Sequence, residues 1–181
     1  MSESENLTGS GAKQWFAVTV KPKQEWVAAS ALESKGLEKF LPAYTVRRRW
    51  SDRMKTFALP LFPGYLFCRT SLEARGQVLR TIGVRGYVAF GGCPEPVPDD
   101  EISALMRMTS SGLPIEPIDY LRTGERVRVI DGPLRGLDGL LLECSGRTRV
   151  VVGVEMLQRS VSVEIDRLAL EPLTPICARF S

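Results

Sequence analysis

The chain has 181 residues, 44% of them hydrophobic and 25% charged, with a formal net charge of +3. That is enough apolar material for one large or two small cores, yet no apolar run approaches the ~20 residues of a membrane-spanning helix. Histidine is absent, which removes the commonest general base, the Ser-His and Cys-His nucleophile pairs and the commonest metal ligand. Cys68, Cys93, Cys144 and Cys177 stand singly, so no C-x-x-C zinc or dithiol centre is indicated, and reduced, mostly buried thiols are expected. The composition therefore weighs against an enzyme, although a hydrolase using paired carboxylates stays open, and it indicates no metal or cofactor. Any basic surface has to come from clustering, because the net charge is small.

The opening residues are polar and acidic and lack the basic and apolar regions of a signal peptide, so residues 1–12 read as a disordered tail of a cytoplasmic protein. Trp15-Phe16-Ala17-Val18-Thr19-Val20 is aromatic and β-branched and predicts a first strand. Lys21-Pro22-Lys23-Gln24 interrupts it. Glu25 to Lys35 then reads as a helix with Val27, Ala28, Ala31 and Leu32 at helical spacing, stopped by Gly36. Phe40 to Val46 is a second strand, and Pro42 points to a sheet edge. A basic stretch follows, and Thr56 to Phe67 returns as an extended segment.

Within it, Pro60-Leu61-Phe62-Pro63-Gly64-Tyr65-Leu66-Phe67 combines three aromatics, two prolines and a glycine. Proline lacks a ladder donor, so this segment is expected at an edge, where Phe62, Tyr65 and Phe67 have few ways to be buried. By themselves these residues suit either an aromatic contact surface for another protein or a core strand entered through a Pro-rich turn. Alternation along a strand puts Tyr65 and Phe67 on one face and Leu66 on the other.

Ser71 is a plausible N-cap for a second helix carrying Leu72, Val78, Leu79 and Ile82. Gly83 to Gly86 is a turn, Tyr87 to Phe90 a strand, and Asp99 caps a third helix with Ile102, Leu105 and Met106 on one face. Thr109 to Asp119, with Ser-Ser-Gly, two prolines and no period, reads as a linker. Beyond it the pattern becomes all-β, with strands expected at Arg126 to Val129, Leu137 to Cys144, Arg149 to Val154 and Val161 to Ile165. The predicted class is α+β: an N-terminal α/β sandwich on a mainly antiparallel sheet, then a small all-β barrel.

Two further constellations carry chemistry. Arg47-Arg48-Arg49-Trp50-Ser51-Asp52-Arg53-Met54-Lys55 sets five basic residues against one acid between extended segments. A hairpin tip of this kind either meets phosphates, with Trp50 stacking on a base, or is a solvated loop. Lys21 and Lys23 form a smaller basic group. Gly124, Gly132, Gly136 and Gly139 recur at intervals that permit tight turns in a small barrel, and no Gly-Lys-Ser/Thr phosphate loop accompanies them.

Four of these segments, in this order, resemble the NusG family of transcription elongation factors. They are Trp15-Phe16-Ala17-Val18 with Lys21-Pro22-Lys23-Gln24-Glu25, the Pro60 to Phe67 run, Thr81-Ile82-Gly83-Val84, and the glycine-rich Gly124 to Gly139, which is similar to the KOW motif. The resemblance implies an NGN domain at 13–108, a linker at 109–119, a KOW domain of SH3-like barrel form at 120–173 and a tail at 174–181. It implies a factor that binds the clamp helices of the largest RNA polymerase subunit through Phe62, Pro63, Tyr65 and Phe67 and suppresses pausing or termination. It implies contact with the non-template DNA strand through Lys21, Lys23 and Arg80. Arg47, Arg48, Arg49 and Arg53 of the basic hairpin are placed near upstream DNA. Ile82 stands where some specialised members carry an arginine.

The KOW domain would take a small-subunit ribosomal protein or Rho as partner, and the factor would act as a monomer away from membranes. The segment Arg149 to Ile165 is similar to specialised paralogs of the RfaH, LoaP and UpxY type. Its valines favour strands over helices, so a stable barrel is expected. The alternative from a different class is a ribosome- or RNA-binding KOW module.

Overall fold

The computed structural model describes residues 11–50, 53–119, 124–144 and 146–173. The two expected tails lie almost wholly outside these residues. In chain order the elements are β1 (Gln14–Val20), α1 (Glu25–Ser34), β2 (Glu38–Phe40), β3 (Ala43–Trp50), β4 (Arg53–Pro60) and β5 (Tyr65–Thr70). Next come α2 (Arg75–Leu79), β6 (Val84–Tyr87), β7 (Ala89–Phe90), β8 (Cys93–Pro94), β9 (Pro96–Val97) and α3 (Asp99–Ser110). The last are β10 (Ile115–Asp119), β11 (Arg126–Val129), β12 (Asp138–Cys144), β13 (Arg147–Val154), β14 (Arg159–Glu164) and β15 (Leu170–Pro172).

The chain divides into two compact units. One joins the residues up to Phe40 to Gly64–Pro96, and the other joins Leu41–Pro63 to the chain from Val97 onward. The β3–β4 hairpin and α3, expected with the N-terminal domain, therefore group with the C-terminal sheet.

In the first unit the main sheet path is β2-β5-β1-β6, antiparallel throughout. β1 is buried along nearly its whole length, from Trp15 to Val18 and at Val20, because it is flanked by β5 and β6. Helix α1 covers the core with Ala28, Ala29 and Leu32, leaving Trp26 and Val27 about half exposed at 48% each. Phe16 meets Tyr87 edge-to-face, with ring centroids 5.7 Å apart. Burial pushes the Cys68 thiol up to about 11, with Glu38 adding to the effect, which keeps it unreactive.

The Pro60 to Phe67 segment departs from the expected edge strand. β4 ends at Pro60, Leu61–Gly64 forms a turn, and β5 begins only at Tyr65. Both prolines thus sit outside β5, and β5 is free to pair on both sides, with β1 and β2. An interior strand buries both of its faces. Leu66 and Phe67 are both fully buried, and Phe67 stacks on Phe40 of β2 at 6.0 Å.

Smaller differences occur at the helices. Ser71 accepts from the Ala74 amide at 3.4 Å, yet α2 proper starts at Arg75 and spans five residues, with Gly76 inside it. Asp99 is the first helical residue of α3 rather than its cap, and the helix buries Ile102, Leu105 and Met108 in place of Met106. The strand expected at Tyr87 to Phe90 splits into the end of β6 and the two-residue β7.

In the second unit the six-stranded sheet runs β10-β14-β13-β12-β11-β15, all antiparallel. Val127, Val129, Val150, Val154, Val161 and Val163 are buried in it, so the valine-rich pattern forms strands as expected. Gly139 is required by space: a Cβ there would lie 2.6 Å from Val150 Cγ1 and 2.7 Å from the Val151 carbonyl. Arg128 makes a bidentate pair with Asp138 across β11 and β12, at 2.6 and 2.8 Å.

Much of the stretch expected as a linker, 109–119, forms regular structure. α3 continues to Ser110, and Ile115–Asp119 is β10, paired with β14 from Ile115↔Val163 to Asp119↔Arg159. Prolines 114 and 117 had argued against a strand, but β10 is a sheet edge, where a missing donor costs little. A fragment of residues 113–173 should be more stable than one of residues 120–173. The longer one keeps the β10 ladder and the buried Ile115, worth roughly 1.5–3 kcal/mol. Denaturant titration of the two fragments measures the difference, and equal midpoints would show that β10 is dispensable.

Candidate functional site

The recognition segments of the first unit meet at the C-terminal end of β1. Successive amides there hold two glycine turns: Val20 N–H donates to Gly64 O at 2.9 Å, and Lys21 N–H donates to Gly83 O at 2.8 Å. The intervening Lys21–Gln24 turn closes with Gln24 N–H donating to Lys21 O at 3.0 Å, and Lys23 takes a left-handed φ of 61°. Gly64 and Gly83 both have φ of 84°, which a Cβ would strain. Gly83 also lies close to α1, since a Cβ would come within 3.2 Å of Ala28 Cβ.

Three of the four segments that carried the resemblance are thereby brought to one sheet end. Lys21 and Lys23 are exposed on their turn, and Arg80 is exposed just before Thr81. Thr81 itself is buried; its hydroxyl donates to Gln77 O and accepts from Lys35 Nζ at 2.8 Å. Ile82 projects into solvent at 67% exposure beside the Gly83 turn. One residue of this end has a role that its place at the helix start does not announce. Glu25, the first residue of α1, is buried, and its Oε1 accepts from Gly64 N–H at 2.9 Å.

The aromatic contact set divides. Tyr65 is half-buried and Pro63 exposed, so both present surface. Phe67 and Phe62 do not: they are 0% and 2% exposed. Phe67 lies inside the sheet against Phe40. Phe62 belongs to the second unit. There Tyr44, Leu61, Phe62, Pro117, Ile118 and Arg159 line a cavity of about 520 Å³ between the hairpin base and the β10–β14 edge. Leu61 N–H donates to Pro42 O at 2.8 Å, which ties the hairpin base together.

The basic stretch is the distal part of the β3–β4 hairpin. Its register pairs Arg47↔Thr56, Arg48↔Lys55, Arg49↔Met54 and Trp50↔Arg53. Arg47, Arg49, Arg53 and Lys55 are exposed. Ser51 and Asp52 at the tip lie outside the described residues. Alternation sets Arg47 and Arg49 on one face of the ribbon.

Helix α3 borders a second cavity, of about 820 Å³, where Asp100, Glu101 and Arg107 face Arg126, Asp138 and Glu155. Arg107 donates to the Arg135 carbonyl and so ties α3 to the Gly132–Gly136 turn. Burial pushes the Glu101 carboxyl up to about 7. A hydrogen bond from the Glu155 backbone opposes that shift, and the Asp100 and Glu155 charges add to it.

The architecture is that of an α+β protein with a C-terminal all-β sheet of the KOW type. Residues 13–106 match the family model described as "Transcription termination factor nusG". The transcription termination/antitermination protein NusG of Lactococcus lactis is 30% identical over 139 residues, 74% of each chain. Its namesake in Thermus thermophilus is 30% identical over 177 residues, covering 84% of this chain and 95% of that one. The solved structure "Domain interaction in Thermotoga maritima NusG" aligns with a TM-score of 0.53 and 24% identity, over 90% of this chain and 98% of that one, which bears on the fold. The chain belongs to the NusG family of transcription factors.

Glu101 supplies a pH test. Its folded-state proton is held to higher pH than in the unfolded chain, so the stability it contributes is full below about pH 4.5 and is lost as pH rises through about 7. The unfolding midpoint of the wild type, measured against that of Glu101→Gln, should therefore fall between about pH 5 and about pH 8. A difference that stays constant across this range would remove the assignment.

Proposed function

We propose that this chain is a non-catalytic transcription elongation and antitermination factor whose N-terminal part grips RNA polymerase and suppresses pausing or termination. One observation carries the reading: the Gly64, Lys21–Gln24 and Gly83 turns are fixed to a single end of the N-terminal sheet by adjacent backbone hydrogen bonds. The polymerase-facing surface of the N-terminal unit is centred on Tyr65, which presents an aromatic edge beside a rigid turn, and Pro63 is exposed next to it in sequence. The clamp helices of the largest subunit are its partner. Phe67 supports that surface from inside the sheet.

Lys21, Lys23 and Arg80 point to the non-template DNA strand, as basic groups on rigid turns beside the polymerase face. Ile82 offers an apolar contact in place of a charged one. The C-terminal KOW domain takes a ribosomal protein or Rho, and the protein works in the cytoplasm as a monomer. The coarser role follows from family membership, and a specialised paralog is the form we favour.

The exposed arginines of the β3–β4 hairpin favour a second reading, direct binding of RNA or upstream DNA. In the primary reading that contact is auxiliary. As the main function it would describe a ribosome- or RNA-binding module.

A pull-down with RNA polymerase core enzyme separates surface from support. Tyr65→Ala should weaken binding by about 2 kcal/mol while the fold stays intact. Phe67→Ala should lose about 3–5 kcal/mol of stability and unfold the N-terminal part. Full retention of polymerase by a folded Tyr65→Ala protein would overturn the surface. Combined replacement of Arg47, Arg49 and Arg53 by alanine should lower the salt dependence of nucleic-acid binding by a log–log slope of about 2. Polymerase affinity should be unchanged. Binding that is tight for RNA and absent for polymerase would establish the second reading.

A further inference from the structure

We infer that Glu25 is a positioning residue for the polymerase-facing turn, with its carboxylate serving as the acceptor that fixes Gly64 and, through it, Tyr65. The inference rests on the polymerase reading above and adds to it a residue that never reaches the partner.

Glu25 opens α1 and is 6% exposed. Burying a carboxylate is costly unless hydrogen bonds replace water. A favourable interaction with the helix N-terminus requires no such burial, since exposed acids in a first turn also gain from it. The structure supplies a different reason. Glu25 Oε1 accepts from Gly64 N–H at 2.9 Å, and Gly64 O accepts from Val20 N–H at 2.9 Å. Both peptide groups of Gly64 are thereby held, one by the start of α1 and one by the end of β1.

Gly64 is the pivot of the motif. Its φ of 84° reverses the chain between Pro63 and Tyr65, and no atom lies within 4 Å of a Cβ built there. The glycine is therefore present for its backbone angle and not for lack of room. With open space where a side chain would stand, Gly64 is oriented through its backbone hydrogen bonds, which set the angle at which the chain leaves toward Tyr65. Without Glu25 the Gly64 N–H loses its acceptor on the α1 side. The Val20 bond to Gly64 O then remains.

The test uses the full-length protein with three substitutions. Glu25→Gln keeps the reach and the acceptor oxygen without the charge. Glu25→Asp keeps the charge at the helix start but shortens the reach. Glu25→Ala removes both. Affinity for RNA polymerase core enzyme and the Gly64 amide resonance are measured for each.

Wild type and Glu25→Gln should bind alike, while Glu25→Asp and Glu25→Ala should each weaken binding about tenfold, with a displaced Gly64 amide signal and a cooperative unfolding transition. Should Glu25→Ala fail to fold, the Gln and Asp pair decides. Equal loss in Gln and Ala with Asp unaffected would assign the role to helix-end charge and overturn the inference. A displaced Gly64 signal with polymerase affinity unchanged in all three variants would also overturn it, while leaving the polymerase reading intact. Absence of binding by the wild type would overturn the polymerase reading and the inference together.

Discussion

The structure depends on the end of β1, where two consecutive amides, Val20 and Lys21, donate to the carbonyls of Gly64 and Gly83. Successive residues of a strand point their N–H groups in opposite directions. One strand end can therefore hold β5 on one side and β6 on the other, together with the turns attached to each. The register agrees with this: Thr19 pairs with Tyr65 on one side and with Gly86 on the other. The Thr19 hydroxyl adds a bond to Gly86 O at 3.0 Å. Two segments about twenty residues apart in sequence thus share one anchor.

The core behind this anchor gives it stiffness. Trp15, Phe16, Ala17 and Val18 are all buried, and Leu66, Phe67 and Cys68 flank them from β5. Interiors packed this way resist small displacements. The exposed parts of the same end, Lys21, Lys23, Arg80 and Ile82, are short excursions from rigid elements. That division suits a protein whose work is recognition, because a preorganised surface loses less freedom on binding. The C-terminal sheet follows the same logic. Its valines form the interior, and ion pairs such as Arg128–Asp138 and Arg149–Glu116 lie toward the outside, where they fix register more than they add stability.

Family membership and the local character of most elements were legible in the sequence. The Gly83 to Gly86 turn, the valine-rich strands and the strand from Trp15 to Val20 all follow from preferences of single residues. The fate of the aromatics was not legible. Tyr65 and Phe67 share a face by alternation, yet Phe67 is enclosed and Tyr65 is not, because β2 pairs alongside Phe67 and supplies Phe40. The place of a strand within a sheet is a property of pairing between distant segments, which periodicity along one segment does not encode.

The same limit explains β10 and Glu25. A proline-containing stretch reads as a linker until an edge position makes the missing donor harmless, and that position exists only once β14 is beside it. A glutamate at a helix start reads as a solvated favourable charge until Gly64, far along the chain, places an amide 2.9 Å from it. Local chemistry determined which elements form and which family the chain joins. Tertiary structure alone decided which aromatics stay at the surface and which carboxylate is buried, because both depend on long-range neighbours and not on the residues themselves.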